Sequence, residues 1–234
     1  MSAPDHRDGA GGTVAVVPLR DGVSGKSRLA AALDPAARRR LVAALARHVV
    51  AVLLVSDGVD RVLVVTADVP FATETLRSTA PRGVEIVPQP AGRPGLNAAL
   101  DVGRDAAVAR GADRLLVAHA DLPLLAPDDV AALLDAAAPT PGDDARGGAP
   151  VVVATDRHLA GTNLLVLPAT ANFRFRFGEA SRAAHVAEAE RADLRPVVVR
   201  RPGTAVDLDT VDDWGELPRA VRDRLRHGLD LPLP

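Results

Sequence analysis

A chain of 234 residues with 47% apolar residues can bury a core in one α/β domain, and with only 2% aromatics that core must be built from Ala, Val and Leu. A formal net charge of −2 and the absence of tyrosine exclude a basic, base-stacking surface for nucleic acid as the main feature. With no cysteine, disulfides, thiolate metal sites and cysteine nucleophiles are excluded as well.

Residues 1–12 (MSAPDHRDGAGG) are polar and Gly-rich, without an apolar run of signal-peptide length, and read as a disordered leader. The longest apolar stretch, Val49 to Val55, is too short to cross a bilayer, so a soluble, cytoplasmic protein without a membrane partner is expected. Thr13 to Leu19 is a β-branched apolar run, predicted as a buried strand, and Arg20 to Gly25 is a polar loop. Asp34 as N-cap and Pro35 at the first helical position open a helix to Val55. Strand signals follow at Arg61–Thr66, Val84–Pro88 and Arg114–Ala118. Helical signals follow at Phe71–Ser78, Leu96–Arg110 (closed by Gly111) and Pro127–Ala138. Beyond a Pro-, Gly- and Asp-rich loop at 139–150 come strands at Val151–Thr155, Leu164–Leu167 and Pro196–Arg200, with a helix at Glu179–Arg191 between the last two. Thr210 starts a short helix, with Asp213 completing a capping box, and residues 216–234 form an Arg-rich helical tail. The alternation predicts one α/β domain over 13–215. Its sheet is mixed but mainly parallel, with helices on both faces, and ligands should bind beyond the carboxyl ends of the strands, in the loops after Leu19, Thr66, Pro88 and Ala118.

The first of these loops contains Gly22-Val-Ser-Gly-Lys-Ser27, which resembles a P-loop but has Arg20 where the pattern requires its first glycine. What survives is a loop of small residues with Arg20, Lys26 (the sole lysine) and Arg28, cations suited to triphosphate oxygens, although a solvated surface loop explains them too. Asp121 follows the fourth strand and Asp207-Leu-Asp209 precedes the Thr210 helix. Residues two apart in extended chain face the same way, so two carboxylates would point together, an arrangement a divalent cation relieves. A turn or cap role is the alternative for each of them. His48, His119, His158, His185 and His227 show no metal-ligand spacing and read as core or surface residues.

Taken in order, Val16-Val-Pro-Leu-Arg20, Gly25-Lys-Ser-Arg-Leu29, Gly95-Leu-Asn97, Ala120-Asp-Leu-Pro123, Gly161-Thr-Asn163, Arg176-Phe-Gly178 with Ser181 and His185, and Asp207-Leu-Asp209-Thr210 resemble the guanylyltransferases of deazaflavin coenzyme F-420 biosynthesis, the FbiD/CofC family. The resemblance implies a Rossmann-like fold similar to nucleotide-diphospho-sugar transferases. It also implies a reaction in which GMP passes from GTP to phosphoenolpyruvate or 2-phospho-L-lactate with release of pyrophosphate. In that reading Asp121, Asp207 and Asp209 hold Mg2+, and Arg20 and Lys26 meet phosphates. Gly95, Asn97 and Arg28 lie along the nucleotide, and Thr162, Gly178 and Ser181 bind the acid. The product passes to the enzyme that builds the coenzyme tail. Arg20 stands where the family commonly has lysine, and Ala120 where it often has glycine. Two alternatives stand beside it: a nucleotidyltransferase of the same fold acting on a sugar phosphate or a molybdopterin, and a catalytically silent nucleotide-binding protein.

Overall fold

The strands are near-continuous runs of Val, Leu and Ala, as expected of a sheet covered on both faces. The computed structural model describes residues 12–20, 27–77, 83–138, 148–231 and 233. The expected leader (apart from Gly12), Lys26 and most of the 139–150 loop lie outside them.

The elements in chain order are β1 (Thr13–Pro18), α1 (Pro35–Val55), β2 (Arg61–Thr66), α2 (Val69–Leu76), β3 (Val84–Pro88), α3 (Leu96–Val108), β4 (Arg114–Ala118), α4 (Pro127–Ala136), β5 (Pro150–Thr155), β6 (Thr162–Pro168), α5 (Ser181–Arg191), β7 (Arg195–Val199), α6 (Val211–Glu216) and α7 (Arg219–Leu229). The strands form one sheet in the order β3-β2-β1-β4-β6-β5-β7. Neighbours pair in parallel except at β6, which runs antiparallel to both β4 and β5. The reversal follows from chain length: residues 156–161 suffice for a hairpin, whereas a parallel crossover needs a dozen or more.

Alternation along each strand divides the core. Ala15, Val17, Val62, Val64, Leu116 and Val152 face α1, α2 and α4, while Val14, Val16, Leu63, Val65, Leu115 and Val151 face the α3 side. Helix α3 lies close on β1, where a Cβ at Gly103 would overlap Val16. Asp34 accepts the N–H of Ala37 at 2.7 Å, which fixes the start of α1 at Pro35. A third cluster joins Leu29, Leu33, Leu41, Leu208 and Trp214 to Leu225, Leu231 and Leu233, so the helical tail packs on α1. Among the described residues no helix is long and apolar enough to cross a membrane.

Candidate active site

Strands β1 and β4 are parallel neighbours from which the sheet grows outward in opposite directions, the position where an open α/β sheet leaves a crevice. A cavity of about 310 Å³ lies there. Pro18, Leu19 and Arg20 line it from the end of β1, and His119, Ala120 and Asp121 from the end of β4. Gly95 and Leu96 contribute from the start of α3, and Asp207 and Asp209 close it from the segment before α6. Leu208 between the two acids points instead into the third cluster, which is the two-residue alternation of extended chain.

Backbone and side-chain bonds hold the acids together. The N–H of Leu208 donates to the carbonyl of Asp121 at 3.0 Å, so the two acidic segments are tied directly. The Asp213 carboxylate accepts the N–H groups of Asp209 (2.9 Å) and Thr210 (2.7 Å) through one oxygen, and Arg157 Nη2 donates to the other at 2.6 Å. Burial pushes the Asp207 carboxyl above its ordinary range, and the charges of Asp121 and Asp209 push it further; Asn163 Nδ2, 3.4 Å away, opposes them. A buried carboxyl group whose ionisation two neighbouring carboxylates disfavour suits a cation. Among the described residues no group of three or more His, Asp and Glu side chains is placed to hold a metal ion by itself. That donor set fits Mg2+, which takes one or two carboxylates, keeps water, and completes its shell with substrate phosphate oxygens.

One layer behind the cavity wall, the polar side chains are satisfied within the protein. The Thr162 N–H donates to Ser181 Oγ at 2.9 Å, and both residues are buried. His185 Nε2 accepts the N–H of Arg176 (3.0 Å), so its proton is on Nδ1, which donates to Thr162 Oγ1 (3.0 Å). Burial lowers the His185 pKa to about 4, and the nearby His119 adds to that, so the ring is neutral near pH 7. The ring of Phe177 lies between it and the cavity, 4.5 Å from His185 and 5.0 Å from His119 between ring centres. Asn97 clasps the backbone of Phe177 with both ends of its amide, donating at 3.1 Å and accepting at 2.9 Å.

The structure therefore brings Arg20, Gly95, Asp121, Asp207 and Asp209 to one cavity. Thr162 and Ser181 meet each other behind it, and Gly178 is exposed beside them at φ 140°, a conformation that favours glycine. Asn97 is engaged by Phe177, Arg28 is exposed and lines neither this cavity nor its neighbour, and Lys26 lies outside the described residues. Sequence reasoning missed His119, Asp213 with Arg157, and Gln89. Gln89 directly follows β3, in a loop the strand-end rule had marked, and its Nε2 donates to the carbonyls of Arg93 (2.6 Å) and Gly95 (2.9 Å).

The family described as guanylyl transferase CofC like matches residues 13–223. A phosphoenolpyruvate guanylyltransferase of Sphaerobacter thermophilus is 40% identical over 205 residues, covering 88% of this chain and 92% of the relative. A 2-phospho-L-lactate guanylyltransferase of Methanothermobacter thermautotrophicus is 32% identical over 205 residues, 88% of this chain and 83% of the relative. Among solved structures, a protein of Desulfovibrio desulfuricans G20 assigned to the nucleotide-diphospho-sugar transferases superposes with a TM-score of 0.67 at 16% identity, covering 94% of this chain and 96% of that one, which establishes a shared fold.

Proposed function

Because the chain belongs to the CofC-like guanylyl transferase family, we propose that it moves GMP from GTP to phosphoenolpyruvate and releases pyrophosphate, with Mg2+ at Asp121, Asp207 and Asp209. The observation that carries this reading is the convergence of those three carboxylates and Arg20 on one cavity at the ends of β1 and β4. A phosphate oxygen of the acid attacks the α-phosphorus of GTP, and the bond to the bridging oxygen of pyrophosphate breaks. The attacking group is already an anion, so no strong base is required, and the protein's contribution is alignment and charge neutralisation. Mg2+, when bound, supplies positive charge to phosphate oxygens. Arg20 presents a planar guanidinium fork to the leaving phosphates, and Lys26, six residues on in the sequence, adds a compact cation. The exposed backbone at Gly178 offers N–H groups to the acid's carboxylate, while Thr162, Ser181 and His185, locked to one another, hold that corner in shape.

The preference for phosphoenolpyruvate over 2-phospho-L-lactate is supported by the higher identity of the relative bearing the former name. The planar acid also loses less conformational freedom on binding. Its guanylylated product then feeds assembly of the coenzyme F-420 tail. The test is pyrophosphate release from GTP and Mg2+ with phosphoenolpyruvate, 2-phospho-L-lactate and 3-phosphoglycerate separately. The highest kcat/KM is expected for phosphoenolpyruvate. A roughly tenfold preference for either other acid, equal to about 1.4 kcal/mol, overturns the acceptor assignment. No release with any of the three overturns guanylyl transfer.

A further inference from the structure

Beyond Arg20 the cavity opens into a second one of about 550 Å³, which shares Leu19, Arg20, Gln89 and Gly95 with the first. Strands β2 and β3 run side by side with Thr66 opposite Pro88, so Asp68 and Gln89 leave neighbouring strand ends at its wall. Pro70, Pro90 and Pro94 also line it, and proline has no N–H to give. Apart from Arg20, assigned above to the leaving phosphates, the polar side chains there are acceptors. Gln89 has both N–H bonds of its amide committed to the carbonyls of Arg93 and Gly95, which orients the group and leaves its Oε1. Its backbone N–H is taken by the carbonyl of Thr66 at 2.7 Å. Asp68 Oδ1 accepts the N–H of Phe71 at 3.0 Å, capping α2, and Arg39 stands 3.7 Å from Oδ2. Each carboxylate oxygen has two lone pairs, so acceptor capacity remains on both.

A wall whose polar side chains, other than Arg20, accept rather than donate discriminates among bases. Guanine presents two adjacent donors on one edge, N1–H and the exocyclic N2 amino group, whereas adenine presents an N1 acceptor there that would face like against like. The geometry points to this outer cavity as the base pocket, with Asp68 and Gln89 reading the N1–H and N2 amino edge of guanine. The inference rests on the guanylyl transfer proposed above and names the residues that would make the base guanine. The proline rings supply apolar surface for the purine, and the Gln89 clasp on residues 93–95 sets that wall before the nucleotide arrives.

The experiment measures kcat/KM for pyrophosphate release with GTP, inosine triphosphate and xanthosine triphosphate in the wild type and in Asp68→Asn. Asparagine is as good an N-cap as aspartate, so α2 keeps its cap. It also places an amide N–H where the xanthine C2 carbonyl can accept. The wild type should prefer GTP over inosine triphosphate, which lacks the N2 amino group, by about tenfold or more. In Asp68→Asn the GTP value should fall about 100-fold while the xanthosine triphosphate value rises, so the preference between them reverses. Asp68→Ser, which also caps but has no carboxylate, guards against a folding defect in the first variant, and its preference for GTP over inosine triphosphate should shrink toward unity. A GTP-to-xanthosine triphosphate ratio unchanged in a folded Asp68→Asn protein overturns the base pocket while leaving guanylyl transfer standing. A wild type that releases no pyrophosphate from GTP overturns both.

Discussion

The cavity and the layer directly behind it are built on opposite electrostatic terms. In the cavity, Asp121, Asp207 and Asp209 are held close enough that burial and mutual repulsion raise the Asp207 pKa. Behind it, Thr162, Ser181 and His185 complete one another's hydrogen bonds, and His185 stays neutral. The first arrangement costs the fold something; the second stabilises the fold and holds the first in position. A site can therefore keep unrelieved charge where a fully satisfied layer over-determines its geometry.

The sharpest way to break this contrast is Asp121→Asn. Loss of one charge should lower turnover by about 10²–10³-fold, since a bound metal contributes several kcal/mol to the transition state. Without metal, the melting temperature should stay level or rise, because a source of repulsion on Asp207 is gone. Wild-type turnover in a folded variant removes the metal role, and a fall in metal-free melting temperature removes the repulsion account.

The second concerns acid. The folded pKa of His185 lies below its unfolded value, so the stability tied to neutral His185 is fully present above pH 6.5 and is lost as pH falls toward about 4. A shift of this size corresponds to about 3 kcal/mol. Denaturant midpoints across that window should drop in the wild type and drop less in His185→Gln; equal slopes would show that this ring is not the sensor.

The smallest effect is expected for Asn97→Ala, which leaves the N–H and carbonyl of Phe177 without their partner and should cost about 2 kcal/mol of stability. If Asn97 works as a clasp, stability moves more than the KM for GTP. A large KM change at unchanged stability would return Asn97 to the nucleotide, as the family resemblance implies.

Much of this was legible from local sequence. Asp34 and Pro35 place α1 at Pro35–Val55, Gly111 adopts φ 79°, and Thr210 with Asp213 forms the expected capping box. Asp121 and the Asp207/Asp209 pair reach the cavity because strand ends and two-residue alternation are short-range rules. Other features needed tertiary information. Strand β6 begins at Thr162 rather than Leu164 because Thr162 and Asn163 find buried partners, and buried polar residues give no apolar signal. Helix α2 starts at Val69 because the Asp68 side chain caps it, two residues before the expected Phe71. The Asn97–Phe177 clasp joins residues 80 apart, and nothing in either neighbourhood announces the other.

The third cluster has a mechanical meaning. Leu208 sits in it between the two acids, Leu29 enters it ahead of α1, and Leu231 and Leu233 seal it from the tail. One small block of leucines around Trp214 thus serves as a common footing for the segment that carries the cavity's acids and for the residues that lead into α1. Close-packed interiors transmit displacement rather than absorb it. The position of the acidic side of the crevice is consequently set from beneath, by a joint to which Leu231 and Leu233 contribute.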